Sequence, residues 1–166
     1  CDSTNVLTSG RSGSESTVRG NLAGVIKKLK NRVFVTSFAS NVARLETIAA
    51  AAKESGRSLV VLGRSMHRMI SVARQNGILK DIDVILSEKD AAKKKKHEVL
   101  YLCTGSQGEP RGAMMRISNQ DFPHIDIDQD DCVIFSSKII PGNEKKIFKL
   151  FNRLSELGAE VITEYD

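Results

Sequence analysis

The chain has 166 residues, 40% of them hydrophobic and 27% charged, with a formal net charge of +5. That is ordinary globular composition, enough for one domain around a single core. No run approaches the roughly 18 apolar residues of a membrane span, and the start lacks a basic region followed by an apolar run, so a soluble, cytoplasmic domain is expected.

The opening at Cys1 rather than Met, in a polar segment rich in Ser, Thr and Gly, suggests a piece of a longer polypeptide. From Glu15 to Lys30, apolar residues at Val18, Leu22, Val25, Ile26 and Leu29 share one helical face. Four units with a common grammar follow, each a short aliphatic run, then small polar residues, then a helix. RVFVTSFASN leads into a helix over about 41–54, with Ser40 as N-cap and Gly56 as stop. SLVVLGRSM leads into a helix over about 66–75, stopped by Gly77. EVLYLCTGSQGEP places Pro110 in the first turn of a helix running to about Ile117. CVIFSSKIIPGNEKK leads into a helix over about 143–157, closed by Gly158, and EVITEY reads as one more strand.

Near-continuous apolar strands alternating with amphipathic helices predict a doubly wound, mainly parallel α/β sheet, Rossmann-like and covered on both faces. Two stretches fit this grammar less well. The segment 78–96 reads as an insertion with a charged helix, and HIDIDQDD alternates like a strand over 124–128. Strand order does not follow from the pattern.

In such sheets ligands bind beyond the carboxyl ends of the strands. Here those ends carry Ser37, Phe38, Ser40 and Asn41; Arg64 and Ser65; Thr104, Gly105, Ser106, Gln107, Gly108 and Glu109; and Ser136 and Ser137. Small, hydroxyl-bearing loops at helix N-termini let backbone N–H groups approach an anion, and phosphate is the natural guest. The same residues also serve as caps and turns in any α/β protein. Arg64 is placed to grip a phosphate or to pair with a carboxylate. No GxxxxGK[ST], GxGxxG or GxSxG motif is present. His67, His97 and His124 form no HxHxDH or HExxH pattern, so no metal site can be written from this chain. Cys1, Cys103 and Cys132 form no CxxC pair, and the last two sit in apolar runs as small buried thiols. The run Lys93 to Lys96 reads as a solvated helix end as readily as an anion site.

DSTN at 2–5, VTSFASNVARL at 35–45, LGRSM at 62–66, LCTGSQGEP at 102–110 and FSSKIIPGNE at 135–144 together resemble the ribonuclease J branch of the β-CASP metallo-β-lactamase proteins. The matches occur in family order and cover nearly the whole chain. The resemblance implies that residues 1–14 end a metallo-β-lactamase strand and its linker. Residues 15–166 would then form the β-CASP domain, with an RNA channel between it and the metallo-β-lactamase domain. It implies a hydrolase that cuts RNA from a 5′ end, internally or both, using two zinc ions whose ligands lie outside this chain. Asp2 matches an acid that orients a metal-binding histidine, and the loop residues named above would line the channel, with Phe38 stacking on a base. The isolated chain is expected to be inactive, and family members often self-associate. Arg111 and Gly112 depart from the small or apolar residues usual after GEP. The competing expectation is a non-catalytic module holding RNA or a small phosphorylated ligand in the same loops. Its lysine-rich helix would recruit a partner.

Overall fold

A computed structural model describes residues 13–80, 82 and 85–163. In chain order the elements are α1 (Glu15–Lys28), β1 (Val33–Thr36), α2 (Val42–Glu54), β2 (Ser58–Leu62), α3 (Arg64–Gln75), β3 (Ile85–Leu86), α4 (Glu88–Ala91), β4 (Val99–Cys103), α5 (Ala113–Ser118), β5 (Cys132–Phe135), α6 (Glu144–Glu156) and β6 (Glu160–Ile162). The strands form one sheet in the order β3-β2-β4-β1-β5-β6. Every pairing is parallel.

The order explains which face each helix covers. From β1 to β2 to β3 the chain steps toward one edge, and from β3 through β4 and β5 to β6 it steps toward the other. With right-handed crossovers, reversing the direction of travel moves the connecting helices to the opposite face. Accordingly α2 and α3 place Leu45, Ile48, Met66 and Ile70 in a core with Val33, Val35, Leu100 and Leu102, which α1 joins through Leu22 and Ile26. On the other face α5 and α6 place Met114, Ile117, Leu150 and Leu154 against Phe34, Tyr101, Val133 and Phe135. Phe34 and Tyr101, opposite each other in the β1–β4 ladder, stack with ring centroids 4.7 Å apart. Continuous apolar runs such as VLYLC have no exposed side because helices cover both.

Several boundaries differ from the sequence expectation. Asn41, not Ser40, caps α2, accepting the Arg44 N–H at 3.1 Å. Pro110 lies in a turn before α5, which starts only at Ala113. The insertion over 78–96 contributes β3, a two-residue edge strand too short for a sequence signal, besides the expected charged helix, here the single turn α4. HIDIDQDD forms no strand. Ile125 and Ile127 are buried from an irregular segment, so alternation there reports burial without ladder pairing. Asp2 and the rest of residues 1–12 lie outside the described residues.

Candidate nucleic-acid interface

The helices after β1 and β2 leave toward one face and those after β4 and β5 toward the other, so the loops at the carboxyl ends of these neighbouring strands part and leave a crevice. A cleft of about 450 Å³ occupies it. The β1 loop supplies Ser37, Phe38 and Ser40, α3 supplies Ser65 and Arg68, and the β4 loop supplies Thr104, Gly105 and Glu109. Gly63 makes this convergence possible. It has φ of 111° and ends β2, and a Cβ there would stand 2.5 Å from Thr104 Oγ1. Replacement by any other residue would push the two loops apart.

Within the β4 loop the side chains divide into two groups. Gln107 is a staple: its Nε2 donates to Lys138 O at 2.9 Å, and its Oε1 accepts the Ile140 N–H at 2.9 Å. The Glu109 carboxylate accepts the Gln107 N–H at 2.8 Å, which offsets part of its charge at the cleft. Gly108 is backed onto Lys146 of α6. Gly112, where the sequence leaves the family pattern, has a packing reason: a Cβ would lie 2.6 Å from the Gly105 Cα. Much of the TGSQGEP signature therefore holds loops together. Three hydroxyls at the carboxyl ends of β1 and β4 do not. Thr36 Oγ1, Ser37 Oγ and Ser106 Oγ are buried without a hydrogen-bond partner among the described residues. An unpaired buried hydroxyl costs about 1–3 kcal/mol, and native proteins keep few of them.

Ser136 and Ser137 lie one strand further on, in a groove beside β5 that also takes in Phe38 and Asn41. Half-buried Phe38 thus borders both cleft and groove. Ser136 is held by Arg44, whose Nη1 donates to Ser136 O at 3.0 Å and to Ser136 Oγ at 2.8 Å. The other edge of that guanidinium donates to both Glu15 carboxylate oxygens, at 2.6 and 3.2 Å. The hydrogen bond from Arg44 holds the Glu15 carboxyl below the usual glutamate range despite partial burial. A depressed carboxylate stabilises the fold above its unfolded pKa and loses that contribution as pH falls through the folded one. Unfolding midpoints should therefore drop below about pH 4 in the wild type, and less in Glu15→Gln. An identical pH profile for the two would show that the Glu15–Arg44 pair contributes nothing to stability.

Arg64, exposed at the start of α3, stands outside the cleft lining, and Arg68 one turn later is the arginine within it. The sequence reading missed Arg68 and Arg44. The first was legible as the i+4 partner of Arg64 on a helix. The second became visible only when Ser136 and Glu15 met it.

Cys103 and Cys132 are buried free thiols. Burial pushes Cys132 up to about 12 and Cys103 higher still, so neither serves as a nucleophile. Among the described residues no group of three or more His, Cys, Asp or Glu converges to hold a metal. No described helix is long and apolar enough to cross a membrane.

The family model for the beta-CASP domain of ribonuclease J matches residues 30–154. Ribonuclease J of Sinorhizobium meliloti is 40% identical over 164 residues, covering 99% of this chain and 29% of that protein. Ribonuclease J of Corynebacterium glutamicum is 40% identical over 167 residues, 100% of this chain and 23% of that protein. Ribonuclease J2 of Bacillus subtilis is 34% identical over 162 residues, 97% of this chain and 29% of that protein. The chain thus spans less than a third of the length of these relatives. Its parallel sheet, its loop signatures and these matches agree: the chain belongs to the ribonuclease J β-CASP domain family.

Proposed function

We propose that this chain is the RNA-positioning part of a ribonuclease J, gripping the sugar-phosphate backbone in the cleft at the carboxyl ends of β1, β2 and β4. The observation that carries the reading is the lining. Arg68 lines the cleft together with the hydroxyl residues Ser37, Ser40, Ser65 and Thr104, with apolar Ala39, Met69 and Val72, and with the half-buried ring of Phe38. Hydroxyls and a guanidinium suit phosphate and ribose oxygens, which position a strand without reading its sequence. The half-buried ring of Phe38 adds base stacking that tolerates any base.

In this reading the full-length polypeptide is a zinc-dependent phosphodiester hydrolase, acting from a 5′ end, internally or both. Its metal ligands belong to a metallo-β-lactamase domain outside the described residues, and this chain alone does not cleave RNA. Substrate grip is this segment's share of the work.

The test is salt dependence. Each phosphate contact releases condensed counterion, so in the full-length enzyme Arg68→Ala should weaken binding of a single-stranded oligoribonucleotide. It should also flatten the plot of log affinity against log salt by about 0.7. Fluorescence anisotropy between 50 and 200 mM salt, ranges over which such slopes are typically read, measures this. An unchanged slope would return the cleft residues to the role of caps and turns.

A further inference from the structure

A second cavity, about 220 Å³ in volume, opens between the carboxyl end of β5 and α6. Phe135, Ile139, Ile147, Phe148 and Phe151 form its apolar wall. Phe148 is 52% exposed, unusual for so large an apolar ring. It stands edge-on to Phe151 with centroids 6.0 Å apart, and Phe151 stands edge-on to Phe135 at 4.6 Å. Ser106, Ser137 and Thr163 are the hydroxyl residues of an otherwise apolar lining. Ser106 is only 2% exposed, lines this cavity and not the cleft, and its Oγ, one of the three unpartnered hydroxyls, is shielded and meets an occupant by turning about χ1. Ser137, the neighbouring hydroxyl, lies 3.4 Å from Gln107 Nε2.

The two features constrain the occupant. An aliphatic side chain would fill the wall and leave Ser106 buried and unpaired. A phosphate would satisfy Ser106 but would be stripped of water against five apolar side chains. A planar group with apolar faces and hydrogen-bonding edges meets both demands, and at this volume only one such group fits. We propose that the cavity takes a single unstacked nucleobase of RNA, with Phe148 against the base and Ser106 on its polar edge. The proposal rests on the RNA-positioning reading and makes Ser106 a base contact instead of a phosphate contact. The path between the two sites is short. Ser106 follows Gly105 of the cleft, Phe135 and Ser137 also line the groove that Phe38 borders, and β4 and β5 lie two strand spacings apart, about 10 Å.

The test uses the full-length enzyme and single-stranded oligoribonucleotides carrying one abasic nucleotide at successive positions. At one position the abasic substitution should weaken binding about tenfold. Phe148→Ala should weaken the intact oligonucleotide by a similar factor and become indifferent to the abasic position, with its salt slope unchanged because no phosphate contact is lost. Ser106→Ala should weaken the intact oligonucleotide and leave the abasic one unaffected. Wild-type affinity in both variants, or equal sensitivity to abasic sites in Phe148→Ala and wild type, overturns the proposal. If that wild-type affinity comes with a lowered unfolding midpoint, the cavity is filled by other parts of the polypeptide. A flattened salt slope in Arg68→Ala alongside those results would overturn the base pocket alone, whereas an unflattened slope would overturn the cleft reading itself.

Discussion

Asp131→Ala is expected to destabilise the domain by about 3 kcal/mol, read as a lowered urea midpoint with an unchanged slope. The Asp131 carboxylate is fully buried just before β5. It accepts Arg32 Nε at 3.1 Å, Arg32 Nη2 at 2.6 Å and the backbone N–H of Asp128 at 2.8 Å. Removing it leaves a mostly buried guanidinium, 17% exposed, facing the more distant Asp128 carboxylate at 3.6 Å, and it strands a backbone donor. The cost comes mainly from the uncompensated charge, so replacing both partners should be milder than their separate losses predict. Arg32→Met with Asp131→Leu removes the ion pair and its desolvation together. Strictly additive losses across that cycle would show that the two residues act independently.

Arg57→Ala should cost a comparable amount, about 3 kcal/mol, for a different reason. Arg57 is 7% exposed and donates to three backbone carbonyls, Leu29 O at 2.6 Å, Asn31 O at 2.7 Å and Val99 O at 3.3 Å. These carbonyls come from the segment between α1 and β1 and from the start of β4. The side chain therefore ties three parts of the chain together at the amino end of the sheet. Burial lowers its pKa, as expected for a cation satisfied by neutral oxygens. Arg57→Lys should recover little of the loss, because one ammonium cannot reproduce the fork that reaches separate carbonyls. Recovery to near wild type with Lys would mean that charge alone matters there. Both effects arise at the end of the sheet opposite the cleft, so neither variant should alter the salt slope of RNA binding.

Much of the architecture was legible in the residues. Val33 to Thr36, Ser58 to Leu62, Val99 to Cys103 and Cys132 to Phe135 lie where their β-branched and aliphatic runs place them. Local pattern sufficed because strands buried on both faces admit few polar residues. Features held by distant partners left no such trace. β3 has two residues and exists because β2 offers an unpaired edge. Ile125 and Ile127 alternate without pairing. Pro110 precedes its helix by a turn that the Gly105–Gly112 contact sets.

For the site, the sequence by itself determined the parallel α/β class, the loops at the carboxyl ends of the strands, and the family. These depend on short-range patterns and on motif spacing. Only the tertiary structure decided the strand order and the division of labour inside the loops. It turned Gln107 and Gly108 inward as packing, chose Arg68 as the cleft's arginine, set Arg44 behind Ser136 and placed Ser106 against a separate apolar cavity. The reason is geometric: which side chain faces a cleft depends on helix phase and on contacts between loops about 30 residues apart, as with Gln107 and Lys138, and one-dimensional spacing carries no such information.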